Sequence, residues 1–440
     1  VASLAQYSRL VAAKADVEAH LEKRRGALDS TFAGWGKDDL DAHGRLRIVQ
    51  DYFTSADIGT PKQVGAGTSV LVKARRTEIS RPNVLVLGRH GLDDLGTHQA
   101  GDVGDVALHR GPGIASRLGP TLAFCEGAQA AAAAVGEEAV NLSYLSLGDN
   151  DTFADVASHI FTGNIDGVFL TDAVSWAPRQ PAITTGSRGR VVVELTLTAG
   201  IDVADFAVSG ALRNPLTKMT QLLAMLRNDR GRIALDGFYD RALRPDDATR
   251  GALTTHGHDG NAWAATLPVT PLRGKLSSLE RAALWPGVSV LAIESSAVDG
   301  RSAPGMVRAT VAFYLVPDQR HAEVERSLRA WVSTNAPPDL QPSVHVISSS
   351  RPYRSEADSV PVAAQARAAY RLFGREAARV PAGGPAGAGE LAYAIGAPVA
   401  FAGISPPTVG FGSLREQLDW NHFAAGTAMA AETLLQLRNQ

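Results

Sequence analysis

Cysteine is almost missing from this chain. Cys125 is the sole thiol among 440 residues, which rules out an internal disulfide and fits a reducing compartment. A dominant charge of one sign is also missing: the formal net charge is −2, so the chain as a whole lacks the electrostatic footprint of a nucleic-acid or anionic-membrane binder. No apolar run reaches the roughly 18 residues of a membrane span. Neither a basic start with an apolar core, as in a secretory signal, nor a Walker-type phosphate loop is present. Lysine is scarce, with arginine outnumbering it roughly five to one, a habit of coding bias more than of phosphate recognition. These absences predict a cytoplasmic protein with no nucleic-acid partner and no membrane partner.

What is present is length and alternation. A chain of 440 residues exceeds one ordinary core and suffices for two domains. Helical patterns cover 3 to 27 and 39 to 54, followed by short β-rich runs at 67 to 76 and 83 to 88. Residues 91 to 120 are rich in glycine and aspartate without a period and read as a long loop. An alanine-rich helix (120 to 136), a strand (141 to 148) and a helix entered through Asp149-Asn150-Asp151-Thr152 come next. This alternation predicts an α/β fold with a doubly wound, mostly parallel sheet, whose active residues lie past the strand ends, where Arg89, Asp151 and Asp172 fall. Strands at 190 to 199, 287 to 295, 306 to 316 and 343 to 349, with helices at 215 to 229 and 320 to 334, give the βαββαβ order of a ferredoxin-like unit. A helix at 361 to 373, a strand near 399 to 402 and a helix at 422 to 437 close the chain.

The run DGVFLTDAVSW, the strand from Arg190 to Ala199, the Asn214-Pro215 helix start, LWPGVSVLAIESSAVDG and FYLVPDQ together resemble the zinc aminoacylase, carboxypeptidase and dipeptidase family, most closely its carnosine-dipeptidase branch. The resemblance covers nearly the whole chain. It implies a catalytic-type domain built from 1–187 and 353–440 and an inserted lid or dimerisation domain at 188–352. It also implies two zinc ions and a glutamate base, and here the sequence departs. Arg89 stands where the first histidine ligand belongs, and arginine cannot ligate a metal. The bridging-aspartate motif degrades to HRGPGIASRLG, and Asn150 occupies the general-base position, where an amide cannot take a proton from water. Asp151 and Asp172 hold ligand positions, Gly412 replaces the last histidine, and only Glu416 echoes that motif. In the lid, Ala204 replaces a histidine and Tyr314 an arginine, while the anion loop shrinks to Gly383-Gly384-Pro385-Ala386.

Three readings follow. The first is a metal-free descendant, with no cofactor and no metal ligands. It acts on an amide- or amino-acid-derived small molecule, in a biosynthetic setting, through Arg89, His90, Asn150, Asp151 and Asp172, with His109, Arg213, Tyr314, Gly383 and Gly384 as substrate contacts. In it Arg89 replaces the metal charge and pairs with Asp151 and Asp172, since two carboxylates in one cleft repel without a cation. The second is a zinc hydrolase with displaced ligands among His90, Asp93, Asp94, His98, Asp151 and Asp172. The third is a pseudoenzyme acting as a homodimeric scaffold through its lid. Two smaller features read as plain structure: His256 and His258 in a glycine-rich turn, and Cys125 as a small buried hydrophobe.

Overall fold

The computed structural model describes residues 17–37, 40–65, 67–73, 80–92, 108–149, 151–160, 164–175, 182–204, 207, 210–242, 250, 276–297, 302–406 and 410–439. Two helices, α1 (Val17–Trp35) and α2 (Ala42–Ser55), precede the strands β1 (Pro61–Val64), β2 (Ser69–Lys73), β3 (Asn83–Arg89) and β4 (Leu108–Gly111). A π-helical turn, Ile114–Leu118, runs into α3 (Gly119–Val135), followed by β5 (Asn141–Leu147), α4 (Phe153–Ile160), β6 (Gly167–Leu170), β7 (Ala182–Thr184) and β8 (Gly186–Ser187). The next group is β9 (Gly189–Ala204), α5 (Pro215–Met225), α6 (Ser278–Leu284), β10 (Gly287–Ser295), β11 (Ala303–Leu315), α7 (His321–Asn335) and β12 (Ser343–Ser350). The chain closes with β13 (Tyr353–Arg354), α8 (Val360–Phe373), β14 (Ala378–Val380), α9 (Ala388–Ile395), β15 (Val399–Phe401), β16 (Glu416–Asp419) and α10 (Trp420–Arg438).

A six-stranded sheet in the order β1-β2-β5-β3-β6-β15 forms the centre, with β5, β3, β6 and β15 parallel and the first two strands antiparallel. Its strands are apolar on both faces, as a doubly covered parallel sheet requires. Val84 and Val86 of β3 join a core with α1, α2, α3 and α10, while Leu85 and Leu87 join a second core with Val156 of α4 and Leu391 of α9. Alanine content serves α3 well: Gly127 lies so close to α10 that an added Cβ would stand 2.7 Å from the Ala430 Cβ. The mostly parallel α/β fold expected from the sequence is therefore the one found.

The second sheet is antiparallel, in the order β10-β11-β9-β12, the strand order of a ferredoxin-like unit. Val191, Val193, Leu195 and Leu197 alternate onto one face and meet Met219 and Leu222 of α5 and Val324, Leu328 and Val332 of α7. Asn214 starts α5 as the sequence suggests, its side chain accepting from Leu216 N at 2.8 Å with Pro215 in the first turn. The opposite face of this sheet carries Arg190 and Tyr314, cross-strand partners. Two expectations shift: the first helix reaches Trp35, past the glycine break read at 34 to 36, and the loop of 91 to 120 contains β4 and the π-helical turn. His256 and His258 lie outside the described residues. Among the described residues no helix is long and apolar enough to cross a membrane.

Candidate functional site at the strand ends

β3, β5 and β6 run parallel and end side by side at Arg89, Leu147 and Leu170, so their C-terminal loops border the crevice where α/β sheets place ligands. Glycine makes the crowding possible. A Cβ on Gly88 would stand 2.2 Å from Thr121 Oγ1 and 2.5 Å from Thr171 Oγ1, two hydroxyls that hydrogen-bond each other at 2.9 Å. Gly91 packs directly on the Gly148 carbonyl, where a Cβ would be 2.5 Å away. Helix α3 is thereby drawn onto the end of β6.

Asp172 follows β6 and is buried, at 8% exposure. Its carboxylate faces Arg117, equally buried, with Nη1 to Oδ2 at 3.9 Å. Arg117 is the fourth residue of the π-helical turn Ile114–Leu118, a rare geometry that often marks functional positions. The turn begins at Gly113 in the left-handed region (φ 63°) and is held by the buried Glu416 carboxylate. Glu416 accepts from Ala115 N and Ser116 N at 2.7 Å each, from Ser116 Oγ, and from Gly412 N at 2.6 Å. Burial pushes the Glu416 carboxyl above the usual carboxylate range, opposed by these donors. The residue that echoes the family's last ligand motif is thus an anchor for the turn presenting Arg117. Gly383 also borders the site, its carbonyl accepting from Val174 N at 2.7 Å, and Gly384 N donates to Gly186 O at 2.9 Å.

The other expected residues are placed as follows. Arg89 Nη2 reaches the main-chain carbonyl of Asp151 at 3.5 Å, while the Asp151 carboxylate accepts from Ser69 N at 3.1 Å and from Ser69 Oγ. The bridge of Arg89 to both acids is therefore corrected: among the described ion pairs Asp172 belongs with Arg117, and Asp151 is a strap between β2 and the loop after β5. Sequence reasoning missed Arg117 because a degraded ligand motif offers no positive signal for an arginine within it. His90 is buried at 1% exposure, its Nδ1 2.8 Å from Ser146 Oγ, and burial lowers its pKa to about 4. It is neutral at pH 7 and too weak a base for general-base work there.

Three proposed substrate contacts lie in other surroundings. His109 sits on β4 with Nε2 3.0 Å from Asp29 Oδ1 of α1 and its ring against Phe32, a packing role. Arg213 is half exposed and pairs with the equally exposed Asp339 within the region of the second sheet, at 3.2 Å. Tyr314 lies under the guanidinium of Arg188, 5.1 Å from the ring centroid, and Arg188 donates to Trp285 O at 2.7 Å. Burial lowers the Arg188 pKa to about 10, so it stays charged at pH 7. Asn150, Asp93, Asp94 and His98 lie outside the described residues.

No protein-family model and no curated protein sequence matches the chain. Solved structures do. An M20 family metallo-carboxypeptidase from Sulfolobus solfataricus, Sso-CP2, is 16% identical with TM-score 0.77, covering 94% of this chain and 99% of that one. The di-peptidase Dug1p from Saccharomyces cerevisiae is 16% identical with TM-score 0.75 over 100% of this chain and 99% of its own. Human carnosine dipeptidase 1 is 17% identical with TM-score 0.73 over the full length of both chains.

This is the M20 peptidase fold. The metal that the fold implies can be tested against the donors in place. A catalytic zinc takes about three protein ligands, and among the described residues no three His, Cys, Asp or Glu side chains stand together to hold an ion. At the strand ends, Asp151 is committed to Ser69, Asp172 faces a guanidinium, and His90 is turned onto Ser146. Among the described residues, no set of donors for a catalytic metal is assembled at the strand ends.

Proposed function

We propose that this chain binds and acts on an amide- or amino-acid-derived small molecule without a metal, with Arg117 and Asp172 as the polar centre of the crevice at the strand ends. The observation that carries this is the pair's geometry. A charge-assisted hydrogen bond in direct contact closes to about 2.8 Å, whereas Nη1 and Oδ2 stand 3.9 Å apart in a buried setting. A ligand that offers an acceptor to one partner and a donor to the other would bridge them. A primary amide does both on one edge: its carbonyl accepts from the guanidinium and its syn N–H donates to the carboxylate. The guanidinium then polarises the carbonyl and the carboxylate orients the amide N–H. A covalent step has little support. Among the described hydroxyls, Thr121 and Thr171 bond each other and Ser69 donates to Asp151, while Cys125 is fully buried with its thiol pKa pushed up by burial.

Calorimetric titration with an N-acetyl amino-acid amide, in the presence of a chelator, tests the reading. Heat of binding in the native chain that disappears in both Arg117→Met and Asp172→Asn is expected; binding unchanged in both variants contradicts it. The role of lid and dimerisation unit for 188–352 is part of the same proposal. Here a specific observation favours a scaffold function alongside binding: the edge strand β10 exposes Val290, Leu291 and Ile293 at 44%, 54% and 43%. An uncovered apolar edge is a ready surface for strand pairing with a second copy.

A further inference from the structure

A cavity lies over the edge strand β15, where α3, α8 and α10 converge. Its volume is about 70 Å³, several times what one water needs. Phe124, Ile183, Phe401 and Met429 supply apolar walls. Walls of this kind are poor hosts for water, which needs two to four polar partners.

Five polar side chains break the apolar lining: Ser175, Thr184, Gln365 from α8, His422 from the first turn of α10, and Thr433. Gln365 is the informative one. It is 5% exposed, and its Nε2 donates to the Phe401 carbonyl at 2.8 Å, which fixes which end of the amide is which. Its Oε1 is then left buried with no hydrogen-bond partner. A buried acceptor without a donor is costly, and native structures seldom keep one without a reason. Phe401 belongs to β15, so the bond that orients the amide also ties the cavity wall to the sheet.

We propose that this cavity is a binding site for a small neutral molecule: an apolar group about the size of one ring, carrying a single hydroxyl or N–H that donates to Gln365 Oε1. A charged ligand is disfavoured by the walls, and a pure hydrocarbon leaves the acceptor unmet. The inference stands on the cavity and Gln365 alone and does not use the Arg117–Asp172 pair. The cavity adjoins the ends of β6 and β15 through Val174, Ser175 and Gly403, and its remaining walls come largely from α3, α8 and α10.

Phenol and benzene are suitable probes, compared by calorimetry and ligand-observed NMR on the full chain. Phenol is expected to bind about fivefold more tightly than benzene, the effect of one hydrogen bond. Gln365→Met, which keeps the side-chain length and removes the acceptor, is expected to abolish that preference while retaining benzene binding. Ala369→Leu, which fills the cavity from α8, is expected to abolish binding of both with the melting temperature unchanged or raised. Equal affinities in the native chain would overturn the assigned ligand class. Absence of binding by either probe, leaving water as the occupant, would overturn the site, as would binding that survives Ala369→Leu.

Discussion

At the residue scale the account rests on charges that burial forces into partnership. Arg117 and Asp172 are buried together, and removing one partner of such a pair costs about 3 kcal/mol because the buried charge left behind loses its counter-charge. Arg117→Met should therefore lose stability at neutral pH, and adding Asp172→Asn should recover much of it; chemical denaturation of the single and double variants measures both. An Arg117→Met variant as stable as the parent would mean the two groups do not depend on each other. His90 gives a prediction in pH. Its folded pKa is lowered from 6.5 to about 4, so below pH 6.5 the unfolded chain takes up a proton that the folded chain refuses. Its contribution is full above 6.5 and is lost as pH falls towards 4, on the order of 3 kcal/mol in all. Denaturation midpoints should fall across that window, and His90→Gln should flatten the slope there. The positions of Asp172 and His90 were legible in the sequence because each directly follows or ends an apolar run. Arg117 was not, because its role depends on the register of a π-helical turn that no periodicity announces.

At the scale of elements, the turn Ile114–Leu118 is held from outside itself. Its N-terminal amides are satisfied by Glu416, about 300 positions further along the chain. Glu416→Ala should leave those amides buried and unpaired at a cost of about 3 kcal/mol, and should loosen the turn. Limited proteolysis that cuts first near residues 113–118 in the variant is the expected result; an unchanged digestion pattern would show that the turn holds itself. The helices and strands around it were readable to within a few residues, since β3 and β5 are short apolar runs bounded by turn residues and α3 is dominated by alanine. β4 and the turn were read as loop because Leu108–Gly111 is only four residues long and pairs with β16 from the far end of the sequence. Long-range pairing of that kind leaves no local mark.

At the scale of the whole molecule, the M20 fold appears without a fitting set of metal donors among the described residues. A chain of this length buries enough apolar surface to fold without an ion: the strands of the central sheet are covered on both faces and the second sheet has its own core. The exposed edge β10 yields a prediction about assembly. Ile293→Lys together with Val290→Lys should shift a dimer towards monomer in analytical ultracentrifugation, because charge on an edge strand opposes pairing; a sedimentation coefficient that does not move would place the interface elsewhere or exclude it. The central claim, that side chains rather than ions occupy the strand-end crevice, is tested most directly by elemental analysis of the chain purified in the presence of zinc and then dialysed. The account predicts well under one bound zinc per chain. About two per chain, the stoichiometry of a paired-metal hydrolase, would contradict it.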